Sequence, residues 1–193
     1  MKRFSTLSLV VALAACGGGE PAENAPEAPA TAPAQAAAPS MSEMTMPDWF
    51  HVDEANKTVH VTITAGLTDV LNHWNFNGYT KGEATVTVPQ GYTVMIDLVN
   101  NDPVMAHSLG ISTVTSGFGA MLDGTVAFDG AVTSNPESMT DATMPGETES
   151  ISFVAATAGN YSMACFVVGH AATGMWIHFN VSADGSAGVQ TTM

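Results

Sequence analysis

The chain has 193 residues, with 18 Asp and Glu against 4 Lys and Arg, and a formal net charge of −14 at neutral pH. So acidic a surface argues against nucleic acid as a partner, and against binding to anionic lipid by charge. The apolar run Leu7 to Leu13 is too short to cross a bilayer as a helix.

That run follows a basic start, Met1-Lys2-Arg3, and ends in Leu13-Ala14-Ala15-Cys16. Small residues leading directly into a cysteine predict a bacterial lipoprotein signal over residues 1–15, with cleavage before Cys16, thioether lipidation of its sulfur and acylation of its new amino group. The mature protein is then exported and extracytoplasmic, anchored to a membrane by lipid, on the periplasmic side where the cell has two membranes. Gly17 rather than Asp after the cysteine points to the outer membrane in such a cell. Removal of Lys2 and Arg3 leaves only Lys57 and Lys81 against the 18 acids.

Residues 16–47 carry the lipidated cysteine and then an Ala/Pro/Glu run from Glu20 to Pro39 without hydrophobic period. Such a composition predicts a disordered tether, because it offers too little apolar surface to offset the entropy of ordering. Met41, Met44 and Met46 close it. Three thioethers in six residues suit a Cu(I)-binding arm, but the usual gap-filling role of Met favours a Met-containing linker or a segment packed on the edge of the domain.

A single domain is predicted over residues 48–184. Thr58 to Thr64 alternates, with Val59, Val61 and Ile63 on one face and His60 on the other, which reads as a half-buried strand. The spacing of Leu67, Val70, Leu71 and Trp74 predicts one or two helical turns. Asn75-Phe76-Asn77-Gly78-Tyr79 is an Asn/Gly turn with aromatic anchors. Residues 84–88 and 92–100 alternate as strands, separated by Pro89-Gln90-Gly91, and residues 107–112 read as a fourth. Residues 113–147 form a long Gly/Ser/Thr/Asp/Pro-rich excursion pinned by Val114, Phe118, Met121, Leu122, Val126 and Phe128. Strands return at 148–154, 161–165 and 176–181, and residues 185–193 read as a frayed, flexible tail. Seven to eight short strands with little helix predict an all-β fold, a Greek-key antiparallel β-sandwich with one core.

The chemistry gathers in Cys165-Phe166-Val167-Val168-Gly169-His170-Ala171-Ala172-Thr173-Gly174-Met175-Trp176, in the pattern C-x4-H-x4-M. With Cys16 lipidated, Cys165 is a thiol without a disulfide partner in an oxidising compartment, a liability unless metal occupies it. A thiolate and a thioether flanking an imidazole suit copper and not calcium, magnesium or manganese. A trigonal site of two histidines and one cysteine needs a second imidazole from a distant strand. His107, at the mouth of an apolar segment after the turn-rich loop from Asn100, supplies it. His51, His60, His73 and His178 lie at segment ends or on alternating faces without a soft neighbour.

The expected metal ligands are therefore His107, Cys165, His170 and Met175, holding one type 1 copper, with no catalytic residue. Phe166, Val167, Ala171, Ala172 and Trp176 form an apolar collar that excludes water and raises the potential. The expected function is single-electron transfer between redox partners at the cell envelope. Copper delivery or storage, resting on the Met41/Met44/Met46 segment, is the alternative. An enzyme such as a copper nitrite reductase would need a second, water-open copper site with further histidines.

At these residues the chain resembles the cupredoxins, and within them the sulfocyanin and rusticyanin group. The resemblance rests on Cys165, His170 and Met175, on His107-Ser108, on Asn75 to Tyr79, and on Phe128-Asp129-Gly130-Ala131; it runs from about Val59 to Val181. It implies a blue-copper β-sandwich in which His170, nearest the surface, is the electron port. It also implies that Ser108, where many cupredoxins carry Asn, braces the two ligand loops, and that the potential is rather high. Partners expected for such a carrier, itself a monomer, are cytochromes or membrane oxidase and quinol oxidoreductase complexes. The lipoprotein signal and the acidic surface depart from the sulfocyanins of acidophilic archaea, so particular partners do not carry over.

Overall fold

A computed structural model describes residues 42–192. The signal over 1–15, Cys16, most of the tether and Met41 lie outside the described residues. Nine strands and one helical turn follow in order: β1 (Phe50–Asp53), β2 (Thr58–Ala65), β3 (Ala84–Pro89), β4 (Thr93–Asn100), β5 (Gly110–Ser112), β6 (Thr148–Val154), β7 (Gly159–Ala164), α1 (His170–Thr173), β8 (Trp176–Ser182) and β9 (Gly188–Thr191).

Alternation decides which face each strand buries. In β2, Val59, Val61, Ile63 and Ala65 are buried while His60 and Thr62 face solvent. In β4, Val94, Ile96 and Leu98 turn inward and carry Asn100 inward with them. The strands assemble into one sheet in the order β1-β2-β4-β6 and another in the order β5-β7-β8-β3-β9. Their inner faces share one core, joined by contacts such as Phe153 on Phe179 (ring centroids 6.1 Å apart).

The all-β sandwich agrees with expectation; its sheets are mixed and not purely antiparallel. β2 pairs parallel with β4, and β3 with β8. Parallel neighbours need a crossover, and here β3, in the opposite sheet, lies between β2 and β4 along the chain. Two strands exceed the expected set. β1 pairs antiparallel with β2. The residues expected to fray at 185–193 instead supply β9, antiparallel to β3, with Val189 buried. Thr45 adds a bridge to Val189, and a Cβ at Gly188 would fall 2.5 Å from Met44 Cγ. The Met-containing segment therefore packs on the domain edge as far as Thr45, although Met46 is exposed.

Two further expectations differ. Leu67 to Trp74 forms irregular turns, because Leu71, Asn72 and His73 all have positive φ, which a right-handed helix does not accept. The strand expected at 107–112 is regular only over Gly110–Ser112; His107 makes an isolated bridge to Thr143. The Asn77-Gly78 turn is as read: both residues have positive φ, and Phe76 and Tyr79 exchange backbone hydrogen bonds, the arrangement of a tight hairpin. The 113–147 excursion bridges β5 from Val126 and Val132 and is pinned by buried Leu122 and by Phe128, which stacks on Phe153.

Candidate metal centre

Three of the four predicted donors converge at one end of the sandwich. Cys165 directly follows β7, and His170 opens α1 after Gly169, whose φ of 84° makes the reversal between them. His107 arrives on the loop after β4. Its Nδ1 lies 3.9 Å from Cys165 Sγ, and His170 Nδ1 lies 3.5 Å from the same sulfur. The three donor atoms fall within 4.8 Å of one another, and all three side chains are fully buried. Met175, also fully buried, closes the loop: its N–H donates to His170 O and its carbonyl accepts from Cys165 N.

These separations can be tested against a metal. Metal–nitrogen and metal–sulfur bonds of about 2.0 and 2.3 Å, in a trigonal plane, put N and S about 3.7 Å apart. The observed pair of distances brackets that value, so the donors fit an ion without moving apart. Their protonation suits it as well. Burial first, and Asp102 only in opposition, sets the His107 pKa below its ordinary value; burial, with His107 nearby, lowers His170 to about 4. Both imidazoles are thus neutral at pH 7. Burial pushes the Cys165 thiol up to about 11, against hydrogen bonds from Ser108 and Val167 that oppose it. A cation replacing the thiol proton removes that penalty.

The surrounding residues fix the donors. His107 Nε2 lies 2.9 Å from Asp102 Oδ2. A neutral imidazole can meet a carboxylate only by donating, so this contact places the proton on Nε2 and leaves the Nδ1 lone pair facing the sulfur. Burial alone would raise Asp102, but hydrogen bonds from Val104 N, His107 and Met105 N outweigh it and hold the carboxyl below its usual value. Asn100, at the end of β4, spans the same loop: its Nδ2 donates to Met105 O and Thr143 O, and its Oδ1 accepts from Asp102 N. Ser108 ties the two ligand loops together. Its Oγ accepts from Phe166 N (2.9 Å) and Val167 N (3.1 Å), and its own N–H points at Cys165 Sγ, 3.4 Å away.

A sulfocyanin (SoxE) domain model matches residues 47–192. The chain belongs to the sulfocyanin family. A sulfocyanin of Sulfolobus acidocaldarius is 32% identical over 131 residues, covering 63% of this chain and 62% of that protein. Among solved structures, reduced rusticyanin aligns at 27% identity over 65% of this chain and 80% of its own, with a TM-score of 0.48. Dithionite-reduced auracyanin from Roseiflexus castenholzii aligns at 21% identity over 63% and 94%, with a TM-score of 0.43. The family is one of blue-copper electron-transfer proteins, and the arrangement of His107, Cys165, His170 and Met175 is that of a type 1 copper site.

The sulfocyanin site differs from the sequence reading in its outer layer. His170 does not itself reach solvent: like the other three donors it is 0% exposed, with the Trp74 indole stacked on it at 3.8 Å between ring centroids and 20° between planes. Of the predicted apolar collar, Phe166, Val167 and Ala171 are buried, whereas Ala172 is exposed and Trp176 is half-buried against Phe118 and His178. Sequence reasoning missed both Asp102 and Trp74. The carboxylate five residues before His107 carries a usable signal, since a ligand histidine needs an acceptor on its second nitrogen. Trp74 carries none, because its helix-like spacing conceals a left-handed turn. His51 and His60 are exposed cross-strand neighbours on β1 and β2, and His178 lies on β8 with its pKa lowered by burial; none of them joins the cluster.

Proposed function

We propose that this chain is a blue-copper electron carrier of the cell envelope, in which His107, Cys165 and His170 would hold the metal and Met175 would be its weaker thioether donor. The convergence of two imidazole Nδ1 atoms on one thiol sulfur, with every donor side chain fully buried, carries the reading. Copper, when bound there, supplies a one-electron couple. The chain's residues do the rest. Asp102 holds the proton at His107 Nε2, Ser108 locks the ligand loops to each other, and Phe166, Val167, Ala171 and Trp74 keep water out. A site tied at both loops suits electron transfer, because the donors need not rearrange between oxidation states. It suits an enzyme poorly, since no donor atom reaches solvent for a substrate to approach.

The Leu13-Ala14-Ala15-Cys16 signal supports an extracytoplasmic location with a lipid on Cys16, facing the periplasm in a cell with two membranes. Partners in this reading are cytochromes or membrane oxidase and quinol oxidoreductase complexes, served by a monomer. Copper delivery is not favoured: its supporting Met segment is engaged at Met44 by the β9 edge.

The test is an optical and EPR spectrum of the full chain with one equivalent of Cu(II), then reduced with ferrocyanide and reoxidised. An intense blue band with narrow copper hyperfine splitting, bleaching and returning, is expected. Cys165→Ser abolishes the band and leaves the domain folded. A pale, broad-hyperfine signal in the wild-type chain rejects the electron-carrier reading, and binding of Cu(I) alone turns it to delivery.

A further inference from the structure

In a carrier, the electron must leave through whatever links the buried metal site to the surface. The obvious exit, the edge of His170, is closed in this chain. His170 is 0% exposed, and its Nε2, the ring atom away from the sulfur, is buried without a hydrogen-bond partner among the described residues. His107 is equally enclosed, with its Nε2 taken by Asp102. One group lies flat on His170 and also reaches solvent: Trp74, partly exposed and stacked on the imidazole at 3.8 Å and 20°. That separation is van der Waals contact over two π faces, with no gap for water between them.

The loop that presents Trp74 is shaped for this placement. Leu71, Asn72 and His73 hold left-handed backbone in succession, with φ of 53°, 57° and 67°. Such backbone is uncommon for one non-glycine residue, and three in a row persist only where the surroundings over-determine them. Asn75, fully buried, anchors the loop, its Nδ2 donating to Thr68 O and Val70 O. Trp74 Nε1 is itself buried without a partner among the described residues, so the indole is held by its ring face and not by its polar tip. Leu67 and Val70, on the same loop, are exposed by 51% and 47%.

We propose that Trp74 is the electron exit: a π bridge through which the single electron passes between His170 and a second redox centre that approaches Trp74 from solvent. The proposal rests on the blue-copper reading above. No bond forms or breaks in the step; the reduced copy loses one electron, the oxidised copy or partner gains it, and the indole remains closed-shell throughout.

The experiment is electron self-exchange between reduced and oxidised copies of the full chain, measured by NMR line broadening. Self-exchange has no driving force, so a change of potential does not enter. Wild type is compared with Trp74→Phe and Trp74→Leu, with EPR hyperfine and potential recorded for each. Trp74→Leu is expected to slow exchange by about tenfold or more, equivalent to about 1.4 kcal/mol in the barrier, whereas Trp74→Phe retains most of the rate. Trp74→Leu exchanging as fast as wild type, or faster, would show the indole to be only a cover and overturn the proposal. So would Trp74→Phe exchanging as slowly as Trp74→Leu, since the loss would then not follow the π face. Failure of the wild-type chain to show a blue band at all would instead reject the copper reading itself.

Discussion

Two loops meet over His170, and they are built on opposite principles. The loop from Cys165 to Met175 is organised by donors at fixed spacing: Cys165 N bonds to Met175 O, Met175 N to His170 O, and Ser108 Oγ takes the N–H groups of Phe166 and Val167. The loop from Leu67 to Asn75 contributes no donor to the metal cluster. It has one buried amide, Asn75, which serves Thr68 O and Val70 O and accepts from Gly78 N at 3.1 Å. In the first loop the chemistry of the site dictates the backbone. In the second a strained backbone is held in place so that one aromatic face meets the site. The first shows in a sequence as a motif; the second shows only as one Asn and a tryptophan.

Cutting the second loop's anchor gives the largest effect on stability expected from this contrast. Asn75→Ala removes the partners of two carbonyls and two N–H groups in a largely buried setting, and is expected to destabilise the full chain by about 2–3 kcal/mol. Urea unfolding measures this. The tryptophan emission of the native state should shift as well, as Trp74 loses its seat on His170. A cost below about 0.5 kcal/mol, the range of ordinary surface substitutions, would mean that the left-handed turn is held by something other than Asn75.

The same difference decides how much of the molecule is legible in its residues. The donor pattern Cys165, His170 and Met175 is local in sequence, and the thiol without a disulfide partner singles it out. His107 needs only the chemistry of a two-histidine site to be sought upstream. Alternation locates β2, β4, β6 and β8, which bury every second residue over most of their length. It also locates β3, whose valines alternate with threonines although five of its six residues are buried. β7, buried throughout its second half, follows from the turn before it. β1 and β9 escape because each offers few apolar residues: only Val189 is strongly apolar within Gly188–Thr191, and that strand exists because it completes the edge beside β3. Parallel pairing is hidden for another reason. A strand's own pattern records which face is buried, not which way its neighbour runs. The helix expected at Leu67–Trp74 fails because hydrophobic spacing says nothing about the sign of φ.

A smaller effect tests how the distant ligand is tuned. The Asp102 carboxylate accepts a hydrogen bond from His107 Nε2 and makes that imidazole a stronger donor, which favours the more highly charged oxidised metal. Asp102→Asn removes the negative charge while keeping the size, so the reduction potential is expected to rise by tens of millivolts; about 59 mV corresponds to a tenfold change in a one-electron equilibrium. Voltammetry of the two proteins checks it. An unchanged or lowered potential would make Asp102 a structural clasp for Val104 and Met105, with no electronic part. The Trp74 loop serves as the control region here. Trp74→Phe alters no charge beside His107, so any shift in its potential should be smaller than that of Asp102→Asn.

A further effect concerns the metal-free protein, and it separates the loops by the shape of a curve. Burial lowers His170 to about 4 from an ordinary 6.5, and lowers His107 in the same direction. The unfolded chain therefore takes up protons as pH falls through about 6.5, while the folded chain refuses them until near 4. Stability from His170 is complete above about 6.5, declines as pH falls toward 4, and loses nothing further below, and His107 acts in the same direction. Asp102, lowered from 3.8, acts in a separate window: its contribution is present above that value and lost below it. At the alkaline end the sign reverses. Cys165 is raised from 9.0 to about 11, so its contribution is complete below 9 and disappears as pH climbs through 11. The metal-free chain should show a plateau of urea midpoints between about pH 6.5 and 9, falling on both sides. His170→Gln should flatten the acid side and Cys165→Ser the alkaline side, whereas Asn75→Ala should lower the whole curve and leave its slopes unchanged. A steep acid limb surviving in His170→Gln would place the proton uptake at His107, the histidine that Asp102 already holds.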